Sequence, residues 1–265
     1  ISPVDVRRFG DYATRAYTEA KLDISHAYSG SVYHPHTESS AGRGARTSAV
    51  HGRLAAKRAA FGARNGWEVP NWFAPEGPEG IAAKDVPSYR RANWFPPVGE
   101  ECRAVRRGVG VIDMSSLAKI ALAGPEAEAV LAGLSANRVP QRAGGMAVAP
   151  VLNAKGGVAA WLAVTHLGEG GFLLTGSAAS EQRDFDLLRW ASAGKDVDTD
   201  DVTEAWGVLA IAGPKAADLL AVVSGIDTGL AAFPRFTARE AEIGYSRVLA
   251  QRCSATGEDG FEIFA

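Results

Sequence analysis

A strand that ends in Gly-Pro and turns directly into a helix occurs twice in this chain. The first copy reads Ile120-Ala-Leu-Ala-Gly124-Pro125-Glu-Ala-Glu-Ala-Val-Leu131, and the second reads Leu209-Ala-Ile-Ala-Gly213-Pro214-Lys-Ala-Ala-Asp-Leu-Leu220. The two glycines lie 213 − 124 = 89 residues apart. Ile120 and Leu122, like Leu209 and Ile211, alternate with small residues as a half-buried strand does. Glycine permits a sharp exit from the strand, and proline at the first helical position loses no hydrogen bond. Val130, Leu131 and Leu134 then predict one apolar helix face, and Leu219, Leu220 and Val223 another. Gly-Pro is common punctuation, but the matching positions around it make coincidence the weaker reading. The spacing is too long for a solenoid and predicts two related α+β lobes.

A chain of 265 residues can bury a large core and hold two structural parts. A net charge of −2 gives no general electrostatic case for nucleic acid or a membrane surface. Two cysteines, Cys102 and Cys253, cannot build a disulfide framework and fit a reducing compartment. No apolar run is long enough to span a bilayer. The chain starts at Ile1 and stops inside the strand-like Gly260-Phe-Glu-Ile-Phe-Ala265, so an internal piece of a longer polypeptide is expected.

Residues 11–21 predict a short helix, and Thr47 to Arg64 a longer one that Gly66 ends. Pro70 and Pro75 keep Trp67 to Pro75 extended. Residues 74–98 read as a proline-rich linker, with a new globular unit from Gly99. Residues 146–152 and 158–167 read as strands joined by the turn Asn153-Ala-Lys-Gly156-Gly157. Phe172–Thr175 is a third strand and Glu181–Ala193 a helix. Residues 237–253 read as further strands, followed by the polar turn Ala255-Thr-Gly-Glu-Asp-Gly260.

Few clusters suggest chemistry. His34 and His36, near His26 and His51, lack structural-zinc spacing, so no metal site is expected. The basic run Arg43, Arg46, Arg53, Lys57, Arg58 and Arg64 suits an anion or, more simply, a solvated helix face. No phosphate loop, dinucleotide fingerprint or nucleophile elbow is present. In Thr256-Gly257-Glu258-Asp259-Gly260, two carboxylates sit where glycines bring the backbone close.

Several motifs occur together: Arg106-Arg-Gly-Val-Gly110-Val-Ile-Asp113-Met-Ser115-Ser-Leu-Ala-Lys119-Ile, both Gly-Pro units, Asn137-Arg-Val-Pro140, Leu152-Asn-Ala-Lys-Gly-Gly157, and Arg252-Cys-Ser-Ala-Thr-Gly-Glu-Asp-Gly-Phe-Glu-Ile263. In their order and spacing, residues 99–265 resemble the folate-binding aminomethyltransferase family typified by the glycine-cleavage T-protein. Upstream, Arg8-Phe9-Gly10-Asp-Tyr12, Gly42-Arg-Gly-Ala-Arg-Thr-Ser48, Ala60-Phe-Gly62 and Gly66-Trp-Glu-Val-Pro-Asn-Trp-Phe-Ala-Pro75 resemble the segment joining the flavin and folate halves of dimethylglycine and sarcosine dehydrogenases. The resemblance implies an α+β fold with ferredoxin-like lobes, truncated at both ends. Residues 1–98 would be the tail of a flavin-oxidoreductase central domain plus linker, and 99–265 a folate domain lacking its C-terminal lobe. It implies a parent enzyme whose FAD half oxidises an N-methyl amino acid and whose folate half captures the one-carbon unit on tetrahydrofolate. This piece would bind no FAD itself, and its partners would be the missing flavin domain and C-terminal lobe of the same polypeptide. A bacterial cytoplasm or a mitochondrial matrix would house it.

Residue by residue, the resemblance makes Glu258 the glutamate that hydrogen-bonds the pterin. The family's catalytic aspartate, in the strand after the Gly-Gly hairpin, falls on Trp161, and indole neither accepts nor delivers a proton at neutral pH. A polar pocket residue falls on Ser177. Glu258, Trp161 and Ser177 are therefore the candidate tetrahydrofolate-binding residues, Glu258 and Trp161 in one cavity, and no catalytic acid/base is identified. Two readings stay open: a folate-dependent one-carbon transferase part, or a non-catalytic folate-binding or structural module that has lost the aspartate.

Overall fold

The computed structural model describes residues 10–28, 38–76, 83–254 and 257–265, with 23–28 as backbone only. It forms two compact units, Phe9–Arg107 and Gly108–Ala265.

The first unit contains helix α1 (Arg15–Tyr28), a short helix α2 (His51–Ala56), the antiparallel hairpin β1 (Ala59–Arg64) and β2 (Trp67–Phe73), and helix α3 (Phe95–Arg107). Three expectations change here. Only six residues of the long helix expected over Thr47–Arg64 are helical. Arg64 instead turns through Asn65 and Gly66, with φ of 48° and 82°, into β2. Asn-Gly with two left-handed residues is the tight hairpin turn, so Gly66 reverses a strand rather than ending a helix. The basic run is a solvated helix face only in part: Arg53 and Lys57 are exposed at α2, but Arg43, Arg46 and Arg64 go elsewhere. Arg46 is buried with its guanidinium 5.2 Å from the Tyr12 ring and 4.4 Å from that of Trp67. Arg43 pairs with the buried Glu68, and Arg64 with Glu38 at 2.9 Å. The expected linker ends early, because α3 starts at Phe95 with Pro96 and Pro97 in its first turn, where missing N–H groups cost nothing.

The second unit carries the repeat. Its elements are β3 (Gly110–Asp113), β4 (Ala118–Ala123), α4 (Ala127–Leu134), β5 (Met146–Leu152), β6 (Val158–Gly168), β7 (Gly171–Gly176), α5 (Glu181–Ala191), β8 (Asp198–Asp201), β9 (Val208–Ala212), α6 (Ala216–Ser224), β10 (Thr237–Ile243), β11 (Ser246–Arg252) and β12 (Gly260–Phe264). They build two antiparallel five-stranded sheets, ordered β5-β6-β7-β4-β8 and β10-β11-β12-β9-β3. The two orders correspond strand for strand. Gly124 and Gly213 take φ of 132° and 124°, and each carbonyl accepts from the N–H three residues on, at 3.1 and 2.9 Å. The helices begin at Ala127 and Ala216, so each proline sits in the turn before its helix rather than at the first helical position. Val130, Leu131 and Leu220 face the core as expected, whereas Val223 is 41% exposed because α6 turns it to solvent.

The fifth strand of each sheet comes from the segment leading into the other lobe. β3 precedes β4 but pairs with β9, and β8 precedes β9 but pairs with β4. Each crossing is latched alike. The Asp113 carboxylate accepts from Ser115 N–H at 3.0 Å, and the Ser115 hydroxyl accepts from Val208 N–H at 3.1 Å. The Asp201 carboxylate accepts from Thr203 N–H at 2.9 Å, and the Thr203 hydroxyl accepts from Lys119 N–H at 3.0 Å. Lys119 and Val208 hold corresponding positions on β4 and β9.

One face of each sheet is covered by helix. Ile120, Leu122, Leu162, Phe172 and Leu174 pack with α4 and with Leu188 of α5. Ile211, Val248, Phe261 and Ile263 pack with Leu220 of α6 and with Phe233. The second faces meet through a plug of Leu173, Val208 and Phe264, flanked by Met114, Trp206 and Leu249. Polar residues elsewhere on these second faces are the ones that chemistry can use.

Candidate functional site

The turn between β11 and β12 borders a cavity of about 120 Å³ lined by Arg235, Phe236, Arg252, Cys253, Glu258 and Asp259 among others. Thr256 lies outside the described residues. Arg252 fixes the cavity's inner wall. Its guanidinium donates to the carboxylate of Asp259 at 3.2 and 2.5 Å, and to the carbonyls of Thr228 and Phe233 at 2.6 and 2.9 Å. Asp259 is thereby committed to structure. Glu258, half-buried, lines the cavity. At this volume the cavity is smaller than the roughly 300 Å³ at which small-molecule sites begin.

Trp161 sits on β6 between the buried Ala160 and Leu162 and is 63% exposed, on the face away from the helix-covered core. Ala163 pairs with Thr175, and a Cβ at Gly176 would touch Leu162 at 2.9 Å. The same register carries Trp161 to Ser177, just past the end of β7. Ser177 is exposed, and its hydroxyl accepts from Ala179 N–H at 3.2 Å, capping the short turn that follows. The β6–β7 ladder itself ends at Ala163–Thr175, two residues short of Trp161 and Ser177, and neither of these lines the Glu258 cavity. Glu169, another carboxylate of this hairpin, sits in the β6–β7 turn at the far end of β6 from Trp161.

The second face of the other sheet holds groups that the sequence reading missed. Gln251 of β11 pairs with Glu262 of β12, and Ala238 and Ala210 flank them in the same row. Gln251 is 1% exposed, and neither its Oε1 nor its Nε2 has a hydrogen-bond partner among the described residues. Burial raises the affinity of the Glu262 carboxyl for its proton, opposed by a hydrogen bond from the Cys253 thiol. Burial, with the charge of Glu262 and this bond, pushes the Cys253 thiol far up. Cys253 also lines the Glu258 cavity, so the residue whose thiol bonds Glu262 borders that space. The signal was in the sequence: Glu262 interrupts the apolar run Phe261-Glu-Ile-Phe264, and Gln251 follows Val248-Leu-Ala250. Polar residues in strands buried on both faces call for a reason.

A second cavity of about 380 Å³ lies by Leu167, Trp206, Ala238 and Leu249, with the exposed Arg247–Glu240 pair at its rim. Among the described residues no unpartnered buried polar atom lines it. His34 and His36 fall outside the described residues, as does the side chain of His26. Among the described residues no three His, Cys, Asp or Glu side chains cluster as a metal site would.

Comparison with known proteins decides the family. Residues 50–265 match the GCVT N-terminal domain, and residues 1–48 match the FAD dependent oxidoreductase central domain. The chain belongs to the GCVT N-terminal domain family. Among solved structures, the glycine cleavage system aminomethyltransferase T from Bartonella henselae superposes with a TM-score of 0.65 at 27% identity, over 83% of this chain and 53% of that one. The expected α+β aminomethyltransferase fold is therefore the one found. Human mitochondrial dimethylglycine dehydrogenase is 35% identical over 98% of this chain and 30% of its own length. The 4-methylaminobutanoate oxidase (formaldehyde-forming) of Paenarthrobacter nicotinovorans is 31% identical over 99% of this chain and 32% of its own length. This GCVT chain thus spans about 30% of the length of the dimethylglycine dehydrogenases it matches. Among the described residues no helix is long and apolar enough to cross a membrane.

Proposed function

We propose that this chain is the folate-binding part of a flavin-dependent dimethylglycine/sarcosine dehydrogenase-like enzyme, passing the one-carbon unit of an oxidised N-methyl amino acid to tetrahydrofolate. The observation that carries the reading is the order of the two family matches, oxidoreductase central domain then GCVT domain, within one alignment covering 98% of the chain. The division at residues 98 and 99 belongs to this reading, as does a mitochondrial matrix or bacterial cytoplasmic setting. FAD and the amino-acid substrate are assigned to the rest of the polypeptide, and no step in this chain is routed through them.

Tetrahydrofolate enters as substrate, and the chemistry of the residues present suits it. An aminopyrimidinone edge presents adjacent N–H donors, which a carboxylate accepts in pairs. Glu258 at the cavity and Glu262 beside Cys253 supply carboxyls, and Gln251 supplies an unsatisfied amide. Trp161 offers an aromatic plane and Ser177 a hydroxyl. A second reading, a folate-binding or structural module without catalysis, is favoured by one observation: Trp161 and its cross-strand neighbour Pro150 bring no carboxylate to that row.

Formation of 5,10-methylenetetrahydrofolate from dimethylglycine by the full-length protein separates the two. The first reading expects turnover by wild type, raised by Trp161→Asp through a general-acid/base gain of up to about 100-fold. No turnover by wild type, with reduced folate still bound, selects the second. Strong wild-type turnover abolished by Trp161→Asp would show that the acid/base group lies elsewhere.

A further inference from the structure

Gln251 is one of three glutamines in the chain. The amide of Gln141 donates to the Val139 carbonyl at 3.1 Å, and that of Gln182 to Asp186 at 3.3 Å. Gln251, the most deeply buried of the three, has partners for neither amide atom among the described residues. A buried amide without hydrogen bonds is a standing cost to the fold, and native proteins keep such groups where a water, an ion or a ligand completes them or where function uses them. Its place in the sheet says where that ligand lies. Gln251 and Glu262 are direct cross-strand partners, so their Cβ atoms lie about 5 Å apart on one face. Ala238 and Ala210 on either side leave these two polar groups without bulky neighbours in their row. The corresponding row of the other lobe pairs Thr165 with Leu173, and Leu173 belongs to the apolar plug. The repeat thus sets one polar side chain against an apolar one in the first lobe and two polar side chains against each other in the second.

We propose that Gln251 is a specificity-determining residue of the folate site, whose side-chain amide takes its missing hydrogen bonds from the heterocyclic head of a bound reduced folate alongside Glu262. The proposal rests on the folate reading above. A ligand that takes the Glu262 carboxyl displaces the Cys253 thiol bonded to it. The primary amide then meets the ring's adjacent donor and acceptor with an acceptor and a donor of its own. Carboxyl and amide together distinguish a ring carrying both from one that carries only donors.

The probe is 5-formyltetrahydrofolate, titrated by calorimetry into the protein, with p-aminobenzoylglutamate as the ligand that lacks the ring. Gln251→Met keeps the side-chain length and removes the polar atoms. The expected result is binding at least tenfold weaker than wild type, with a melting temperature of the unliganded protein equal or higher, because an unsatisfied polar group has been removed. Binding within twofold of wild type overturns the proposal. So does weaker binding accompanied by a fall of several degrees in melting temperature, which marks a structural amide. Should Gln251→Met not fold, wild-type protein labelled with ¹⁵N-glutamine gives three side-chain amide signals, assigned by elimination with Gln141→Glu and Gln182→Glu. The Gln251 signal alone is expected to shift at saturating ligand, and an unmoved signal overturns the proposal. A wild type that binds p-aminobenzoylglutamate as tightly as the folate removes the role of the ring and overturns it also. A wild type that binds neither ligand defeats the folate reading itself, a failure distinct from loss of the Gln251 effect in a protein that binds.

Discussion

The two lobes of the GCVT unit share one frame and differ in what they place on it. Both run strand, Gly-Pro turn, helix and three further strands, both receive a fifth strand from outside, and both latch it with an aspartate and a hydroxyl two residues on. On the helix-covered faces, equivalent positions carry equivalent residues, Leu122 with Ile211 and Phe172 with Phe261. On the second faces the equivalence fails. Leu173 corresponds to Glu262, Thr165 to Gln251, and the fully buried Lys119 to Val208. The Lys119 ammonium donates to the carbonyls of Ser115 and Leu117, both at 2.8 Å, beside the latch of the first lobe. Burial of apolar side chains against the helices builds each lobe and constrains those positions to one chemistry. The faces turned toward each other carry less of that load, and there Leu173 of one lobe joins the apolar plug where the other holds the Glu262 carboxyl, and Thr165 stands where the other holds the Gln251 amide.

If the frame is shared, its glycines are equally indispensable. A Cβ on Gly124 would come within 2.4 Å of the Asp196 carbonyl, on a backbone at φ 132°. Gly124→Ala is expected to cost about 3 kcal/mol or more in urea unfolding, strain and clash together. Gly213→Ala, at φ 124°, is expected to fall in the same range. A cost near zero at either site would mean that only one lobe needs the sharp exit, and the frame would not be shared.

The latches give a finer comparison. Thr203→Val leaves the buried Lys119 N–H without its acceptor, and Ser115→Ala does the same to Val208. Each is expected to cost about 1–3 kcal/mol, the desolvation of one orphaned donor. Measured by chemical denaturation, a difference between them greater than the range itself would break the symmetry of the exchange.

The smallest effect concerns the faces that differ. Glu262 binds its proton more tightly folded than unfolded, because burial disfavours the carboxylate. Its contribution is therefore fully present below the unfolded carboxyl value of about 4.3 and is lost as pH rises through the raised folded one. Glu262→Gln is expected to flatten the decline of stability above that pH and to be more stable than wild type at pH 8. Thermal melts from pH 4 to 8 check it. Parallel curves for the two proteins would show that Glu262 titrates as it does in the unfolded chain.

Much of the frame was legible in the sequence. Local chemistry wrote it there: Gly-Pro after alternating apolar residues, Asn153-Ala-Lys-Gly-Gly157 at a hairpin, the apolar face of α4. The strand exchange was not legible, because short edge strands such as Asp198–Asp201 take their place from a partner strand far along the chain. Neither was the Ala59–Arg64 strand, where helix-forming alanines outweighed the Asn65-Gly66 turn until the aromatic residues of β2 supplied a partner. The site divided in the same way. Trp161 and Glu258 could be named by motif, but the shared cavity expected for them is not found, because Trp161 lies on the exposed face of β6 and does not line the Glu258 cavity. The buried pair Gln251–Glu262 depends on two strands meeting across a turn, and that row appears only when the sheet is built.

The central claim is that ligand chemistry resides on the second face of the β10–β11–β12 lobe, where a carboxyl and an amide replace the Leu173 and Thr165 of the other lobe. Glu262→Leu restores the residue that Leu173 supplies in the other lobe, and calorimetric titration of this variant with 5-formyltetrahydrofolate tests the claim most directly. The account predicts a folded protein, as stable as wild type at neutral pH, whose affinity for the reduced folate falls by about 1–3 kcal/mol or more, the loss of a charge-assisted contact. A folded Glu262→Leu protein that binds the folate within twofold of wild type would contradict it.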